Sequence, residues 1–192
     1  MSYETITYHV RGISPLLMHN GRLANPLDPF AKKMKALTGL RKKTDETHVE
    51  LSKLEFLAGL YLDSEERVII PSNNIEGAIA AGARLSRQGK EFKSGVMVTE
   101  DSILQYGKML TPEELWDDYD NHVNVMAVKV QKARIMRTRP IFREWAISFP
   151  VQFNVDVVDG SHVTMAVEKA GSLVGLCDFR PKFGRFEIEK QT

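Results

Sequence analysis

Cysteine is nearly absent from this chain of 192 residues, in which Cys177 is the only one. A single cysteine cannot form an internal disulfide, and it excludes a zinc site built from cysteines. Because disulfides are rare in reducing compartments, we expect a cytoplasmic protein. No apolar run approaches the roughly 20 residues that a membrane-spanning helix needs. The first ten residues alternate and have no apolar core, so they do not resemble a signal peptide.

The chain also lacks an excess of charge. It has 26 lysines and arginines against 25 aspartates and glutamates, which gives a formal net charge of +1. A nucleic-acid-binding surface must therefore arise from where the cations lie and not from their number. The hydrophobic fraction of 43% is large enough for a sizeable core.

Motifs of catalysis and cofactor binding are missing as well. There is no GxxxxGK[ST] phosphate-binding loop and no serine in a nucleophile elbow. The histidines do not have the paired spacing of a metal site. Four aspartates could bind a hard cation, but we interpret them as solvated turn residues: Asp28, Asp117, Asp118 and Asp120. We therefore expect no metal, no cofactor and no catalytic residue.

Three alternating segments predict strands, and helical spacing connects the last two. The strands cover Glu4–Arg11, Trp145–Val157 and Phe183–Glu189, and a helix begins near Asp159. A further helix with many small residues follows Pro71. This order predicts an α+β fold, with an RRM-like or ferredoxin-like sheet of mixed and antiparallel strands. Helices cover one face of the sheet, and the other face is left exposed for binding.

We predict a single RRM-like domain over residues 1–192, with insertions at approximately 13–45 and 107–143. The second insertion contains a long β-ribbon, NVMAVKVQKARIMRTRPIFR, at residues 124–143. The parity of its apolar positions shifts between Val130 and Ala133, which predicts a bulge or bend in an extended segment.

The ribbon is cationic and contains no carboxylate between residues 129 and 143. Its six cations are Lys129, Lys132, Arg134, Arg137, Arg139 and Arg143. Such a row matches a phosphate backbone, where charge neutralisation supplies most of the affinity. Two other interpretations stay open: the cations protect an edge strand from aggregation, or they pair with the acidic segment 113–120.

A second cationic segment, FRPKFGR, lies at residues 179–185. Arg180, Lys182 and Arg185 supply charge, while Phe179 or Phe183 could stack on a base. Glycine allows close backbone approach, and successive N–H groups could form an anion-binding nest. Alternatively, the phenylalanines hold the loop on the core and the cations are merely solvated.

A third candidate is the pair His19-Asn20 in the loop after the first strand. His19 could act as an acid or base, or contact a ribose or phosphate. The alternative is a structural histidine, because no paired nucleophile or carboxylate is evident nearby.

Three segments in this order resemble the RAMP superfamily of CRISPR-associated proteins: GISPLLMHN, IPSNNIEGAIAAGA and GLCDFRPKFGRF. The chain looks most like the backbone-forming, RNA-binding subunits. The resemblance implies an RRM-like fold with insertions, nucleic acid beside Arg180, Lys182 and Arg185, and a thumb-like or finger-like role for the ribbon. The second segment departs from the family pattern at Asn73, Asn74 and Glu76. With the short chain, this fits a phage or mobile-element relative.

The sequence therefore predicts a non-catalytic protein that binds single-stranded nucleic acid, with RNA favoured over DNA. We expect a homo-oligomer or a subunit of a CRISPR-type ribonucleoprotein, with no membrane partner. The predicted contact residues are Lys129, Lys132, Arg134, Arg137, Arg139, Arg143, Arg180, Lys182, Arg185, His19 and Asn20. Two alternatives are a metal-independent RNA endonuclease that uses His19, and a phage structural or inhibitory protein that binds other proteins.

Overall fold

A computed structural model describes residues 2–130 and 133–189 of the chain. These residues group into two units. Unit 1 contains the chain up to Leu16, Leu62–Met109 and the chain from Arg143 onward, and unit 2 contains Leu17–Tyr61 and Leu110–Phe142. The prediction of a single domain with insertions at about 13–45 and 107–143 stays a prediction.

The strands and helices are numbered along the chain. The strands are β1 Tyr3–Gly12, β2 Leu16–Leu17, β3 Ile69–Ile70, β4 Val96–Val98, β5 Ser102–Ile103, β6 Val123–Val130, β7 Ala133–Phe142, β8 Ala146–Asn154 and β9 Phe186–Ile188. The helices are α1 Pro29–Thr38, α2 Asp45–Gly59, α3 Ser72–Arg84, α4 Gly89–Gly95, α5 Pro112–Asp117, α6 Tyr119–His122 and α7 Gly160–Lys169. Within the described ranges, no helix has the length and apolar character needed to cross a membrane.

Unit 1 is built on a four-stranded sheet with the order β4-β8-β1-β9, in which every neighbouring pair is antiparallel. Because β1 lies between β8 and β9, these two strands run parallel to each other and α7 connects them. In the same way, α3 lies between the parallel strands β1 and β4. Two interleaved β-α-β units of this kind define a ferredoxin-like fold. The predicted α+β class is therefore confirmed.

The strands of unit 1 bury one face against α3 and α7. Tyr8 and Val10 of β1 are buried with Ile147 and Phe149 of β8, and the Tyr8 hydroxyl lies 2.8 Å from Thr164 Oγ1 in α7. The two helices also approach each other closely, since a Cβ on Gly82 of α3 would overlap backbone of α7. These small and apolar positions explain why the sequence periodicity predicted this unit well.

The opposite face of this sheet is exposed and polar. His9 Nδ1 lies 2.7 Å from Ser148 Oγ on the neighbouring strand, and Arg11 donates to Glu187 at 2.9 Å. Besides the imidazole of His9, Tyr3 at one end of β1 carries the only aromatic ring that the described strands place on this face. The predicted exposed face thus exists, but its centre offers only the His9 ring and not the several stacking rings of an RRM-type RNA platform.

In unit 2, the cationic ribbon is an antiparallel hairpin. All eight residues of β6 pair with β7, from Val123 opposite Pro140 to Val130 opposite Ala133. The sequence predicted a bulge or bend between Val130 and Ala133, and the bulge was wrong, because the strands on either side of this position pair antiparallel. The parity shift was real, but it marks the change from one strand to the next.

Candidate nucleic-acid interface

The predicted contact residues are divided between the two units. Unit 1 carries Arg143, Arg180, Lys182 and Arg185, and unit 2 carries His19, Asn20, Lys129, Arg134, Arg137 and Arg139. Lys132 lies outside the described residues. That any of these side chains contacts nucleic acid stays a prediction.

Two cations of the hairpin are exposed and adjacent. Lys129 of β6 lies directly opposite Arg134 of β7, so their side chains share one face. Met136 is exposed on that same face. These two cations are available to solvent and could contact an anionic partner.

The other two hairpin arginines are structural. Arg137 donates to Glu55 Oε1 at 2.7 Å, and the second oxygen of Glu55 accepts the Thr138 N–H at 2.9 Å. Glu55 is only 7% exposed, and Arg139 is 9% exposed. The expected solvent-facing row is therefore interrupted at Arg137 and Arg139. The partner of Arg137 belongs to α2 and not to the acidic segment 113–120.

A cavity of about 400 Å³ in unit 2 brings His19, Asn20 and Arg137 together. The Asn20 side chain is held in place, since its Oδ1 accepts the Arg22 N–H and its Nδ2 donates to the Leu60 carbonyl, both at 3.1 Å. Among the lining residues only the His19 ring could serve as an acid or base, because a guanidinium stays protonated in proteins. No cluster of three metal-binding side chains occurs in the part of the chain that the structure describes.

Hydrogen bonds from backbone N–H groups hold the terminal loop of unit 1, Gly175–Arg185, in place. The Leu176 N–H donates to the Gly184 carbonyl at 2.8 Å, and the Gly184 N–H donates to the Pro15 carbonyl at 2.8 Å. The Arg185 N–H donates to Ser14 Oγ at 2.9 Å. These three N–H groups are not free to bind an anion, and a nest formed by the other N–H groups of the loop stays a prediction. The cationic side chains of the loop remain exposed.

Left-handed backbone conformations shape the terminal loop. Cys177 and Phe179 have φ values of 59° and 54°, which cost a non-glycine residue about 1–2 kcal/mol each. Gly184 also has a positive φ, and a Cβ there would overlap the backbone of Leu176. The loop tolerates this strain because its hydrogen bonds fix it, and it presents the Phe179 ring 48% exposed.

A groove of about 650 Å³ lies between α3 and the terminal loop, and we call it the α3–loop groove. Its lining residues are Gly77, Ala81, Arg84, Leu173, Val174, Cys177, Asp178, Phe179, Arg180 and Pro181. A Cβ on Gly77 would have no atom within 4 Å, so the helix surface is open at this point. Small side chains on α3 thus leave room for a ligand to approach the helix.

The α3–loop groove combines cations with an exposed ring. Arg84 and Arg180 are both exposed, and neither forms an ion pair with any residue that the structure describes. Asp178 is the only carboxylate in the lining. Guanidinium groups bind phosphate oxygens, and an aromatic ring stacks on an unpaired base. The groove can therefore hold a single-stranded segment by its phosphates and one base.

Sequence reasoning missed Arg84 and the role of the small residues beside it. The helix after Pro71 was interpreted by the face that packs on the core. A different face of this helix carries Gly77, Ala81 and Arg84, at spacings of four and three residues. This spacing is the signal that could have identified a second functional surface. Glu55 was missed too, although a carboxylate between Leu54 and Ala58 interrupts an apolar face.

Cys177 lies in the lining of the groove but is chemically protected. Burial raises the pKa of its thiol to about 12, and Asn74 Nδ2 approaches its Sγ at 3.9 Å. The thiol is therefore protonated at neutral pH, and the thiolate is the nucleophile and metal-binding form. Cys177 is a structural residue of the loop.

Alkylation of Cys177 by iodoacetamide at pH 8.5 is expected to be about 1000-fold slower in the folded protein than in urea. The reason is that an unfolded thiol has a pKa of about 8.5 and is half ionised there, whereas the folded pKa is about 12. As pH rises above about 8.5, the unfolded chain loses a proton that the folded chain keeps, so stability falls. Equal alkylation rates in the two states would contradict this assignment.

Comparison with known proteins places the fold. No family model matches the chain, and no curated protein matches it. Among solved structures, it is similar to a chain in the cryo-EM structure of the Type III-B Cmr-beta bound to cognate target RNA, with a TM-score of 0.58 and 14% sequence identity. The match covers 98% of this chain, which spans 59% of the other chain's length. At this identity the likeness shows a shared fold.

Proposed function

We propose that this protein binds single-stranded RNA through the α3–loop groove and acts as a non-catalytic subunit of a CRISPR-type ribonucleoprotein. The observation that carries the proposal is that one groove is lined by two arginines without an ion pair, Arg84 and Arg180, and by the exposed ring of Phe179. Phosphates would lie on the guanidinium groups, and a base would stack on the ring.

The fold comparison supports the same proposal from a different direction. The similar chain belongs to a Type III-B Cmr-beta structure that contains cognate target RNA. The order of the three sequence motifs, which resembles that of RAMP proteins, supports it as well. A role in an assembly of this CRISPR type is the function that both observations favour.

Single-stranded nucleic acid is favoured because the exposed ring of Phe179 needs an unpaired base as its stacking partner. Lys182 and Arg185, which are exposed on the same loop, would extend the contact along the backbone. The hairpin cations Lys129 and Arg134 would act as a thumb-like element on the same or a neighbouring strand of RNA.

Fluorescence anisotropy with labelled oligonucleotides tests the proposal. We expect the purified protein to bind a single-stranded RNA at least tenfold more tightly than an RNA duplex of the same length, because base stacking contributes about 1–3 kcal/mol per base. A matched single-stranded DNA measures the preference for RNA. Failure to bind any single-stranded oligonucleotide at low salt would contradict the proposal.

Recovery of intact RNA tests the non-catalytic part of the proposal. Labelled RNA incubated with the wild type and with His19→Ala is expected to stay uncleaved in both reactions. Cleavage by the wild type that disappears in His19→Ala would instead support the endonuclease alternative.

A further inference from the structure

Strand β6 is an eight-residue edge whose outer side has no neighbour among the described strands. Its sheet has the order β2-β7-β6, so β6 pairs with β7 on one side only. In unit 1, the edges of the four-stranded sheet are β4 and β9, which have three residues each. An unpaired edge exposes a row of N–H and C=O groups that another extended strand can complement.

The sequence of β6 does little to protect this edge. VNVMAVKV contains no proline, no glycine and one charge, Lys129. Proteins usually protect long edges with prolines, bulges, several charges or a covering element. Val125 is 42% exposed on one face of the strand, which adds apolar surface to the unpaired backbone.

The outer part of the hairpin is also a two-stranded ribbon with little cover. Every described residue from Asn124 to Lys129 is at least partly exposed, and so are those from Ala133 to Arg137. An isolated two-stranded ribbon is only marginally stable in water, and three or more strands are needed for independent stability. Another strand at the β6 edge would satisfy the backbone and cover Val125.

We propose that β6 pairs with β6 of a second copy of this chain, antiparallel and across a two-fold axis. Such an interface is self-complementary and joins two three-stranded sheets into one sheet of six strands. The axis places either Met126 opposite Met126 or Ala127 opposite Ala127. In both registers Lys129 lies opposite a valine, Val123 or Val125, so no like charges face each other. The pairing does not depend on RNA binding by the α3–loop groove.

Sedimentation velocity over a range of protein concentrations, without nucleic acid, tests the dimer. We expect the wild type to show a reversible monomer–dimer equilibrium and Val125→Lys to shift it toward monomer by at least tenfold in the dissociation constant. Met136→Lys is the matched control, because its side chain is 62% exposed on the same face but belongs to β7. It should dimerise like the wild type.

Disulfide crosslinking then fixes the register. Directly opposed residues of antiparallel strands have Cα atoms about 4.5–5.5 Å apart, within the range of a disulfide. We expect either Met126→Cys or Ala127→Cys to form a crosslinked dimer under mild oxidation, with wild type and Met136→Cys as negative controls. A wild type that stays monomeric would overturn the proposal. So would a dimer that both lysine substitutions disrupt, or that neither of them disrupts. The absence of a crosslink at both position 126 and position 127 would overturn it as well.

Discussion

Replacing Arg137 with methionine is expected to destabilise unit 2 by about 2–3 kcal/mol. The substitution leaves the carboxylate of Glu55 buried, with the Thr138 N–H still donating to it. Removing one partner of a fully buried ion pair costs about 3–5 kcal/mol. The expected loss is smaller because the Arg137 side chain is 35% exposed. Urea unfolding followed by tryptophan fluorescence measures it, since Trp116 belongs to unit 2.

Two further variants show whether the loss comes from the ion pair. Arg134→Met removes an exposed cation from the same strand and should change stability by less than about 0.5 kcal/mol. Adding Glu55→Gln to Arg137→Met should restore most of the stability, because no uncompensated charge is then buried. If Arg137→Met were as stable as the wild type, the structural role of this pair would be wrong.

The stability of Arg137 variants bears directly on how RNA binding should be tested. Charge removal at Arg137 or at the buried Arg139 would weaken unit 2 and lower the fraction of folded protein. A loss of RNA binding in such variants would not identify a contact. Substitutions in the α3–loop groove avoid this difficulty, because Arg84 and Arg180 are exposed and form no ion pair with the described residues.

The double variant Arg84→Gln/Arg180→Gln is expected to bind single-stranded RNA about 100-fold more weakly than the wild type. Each guanidinium–phosphate contact contributes about 1.5 kcal/mol, and each 1.4 kcal/mol is a factor of ten in affinity. Glutamine is shorter than arginine, but it keeps a polar side chain while it removes the charge. The folded state should be unaffected, which circular dichroism and thermal unfolding can verify.

Lys90→Gln/Lys93→Gln is the matched control for the groove variant. It removes two exposed cations from α4 of the same unit, outside the groove lining. Its affinity should fall by less than about fivefold, as expected for a loss of long-range attraction only. Equal losses in the two double variants would show that binding follows net charge and that the groove is not the site.

Local patterns in the sequence predicted the ferredoxin-like unit because its strands bury one face only. The alternation in β1 and β8 and the helical spacing in α7 follow directly from that burial. The hairpin was harder to recognise, since Gln131 and Lys132 lack the Asn-Gly or Asp-Gly signal of a tight turn. A change of parity was therefore interpreted as a bulge or bend.

The candidate site was likewise only partly predictable from the sequence. Arg180 and Phe179 stood out because cations and aromatic residues alternate there, but their partner Arg84 lies 96 positions earlier in the chain. Only the packing of α3 beside the terminal loop brings them together. Likewise, Arg137 binds Glu55 of α2, and Arg139 is buried. A count of cations along the ribbon reveals neither fact.

The salt dependence of RNA affinity tests the central claim most directly. For single strands, the slope of log affinity against log salt is about −0.7 for each phosphate that the protein neutralises. If Arg84 and Arg180 each neutralise one phosphate, the slope of Arg84→Gln/Arg180→Gln should be shallower than that of the wild type by about 1.4. A slope identical to that of the wild type would contradict the assignment of the α3–loop groove as the RNA-binding site.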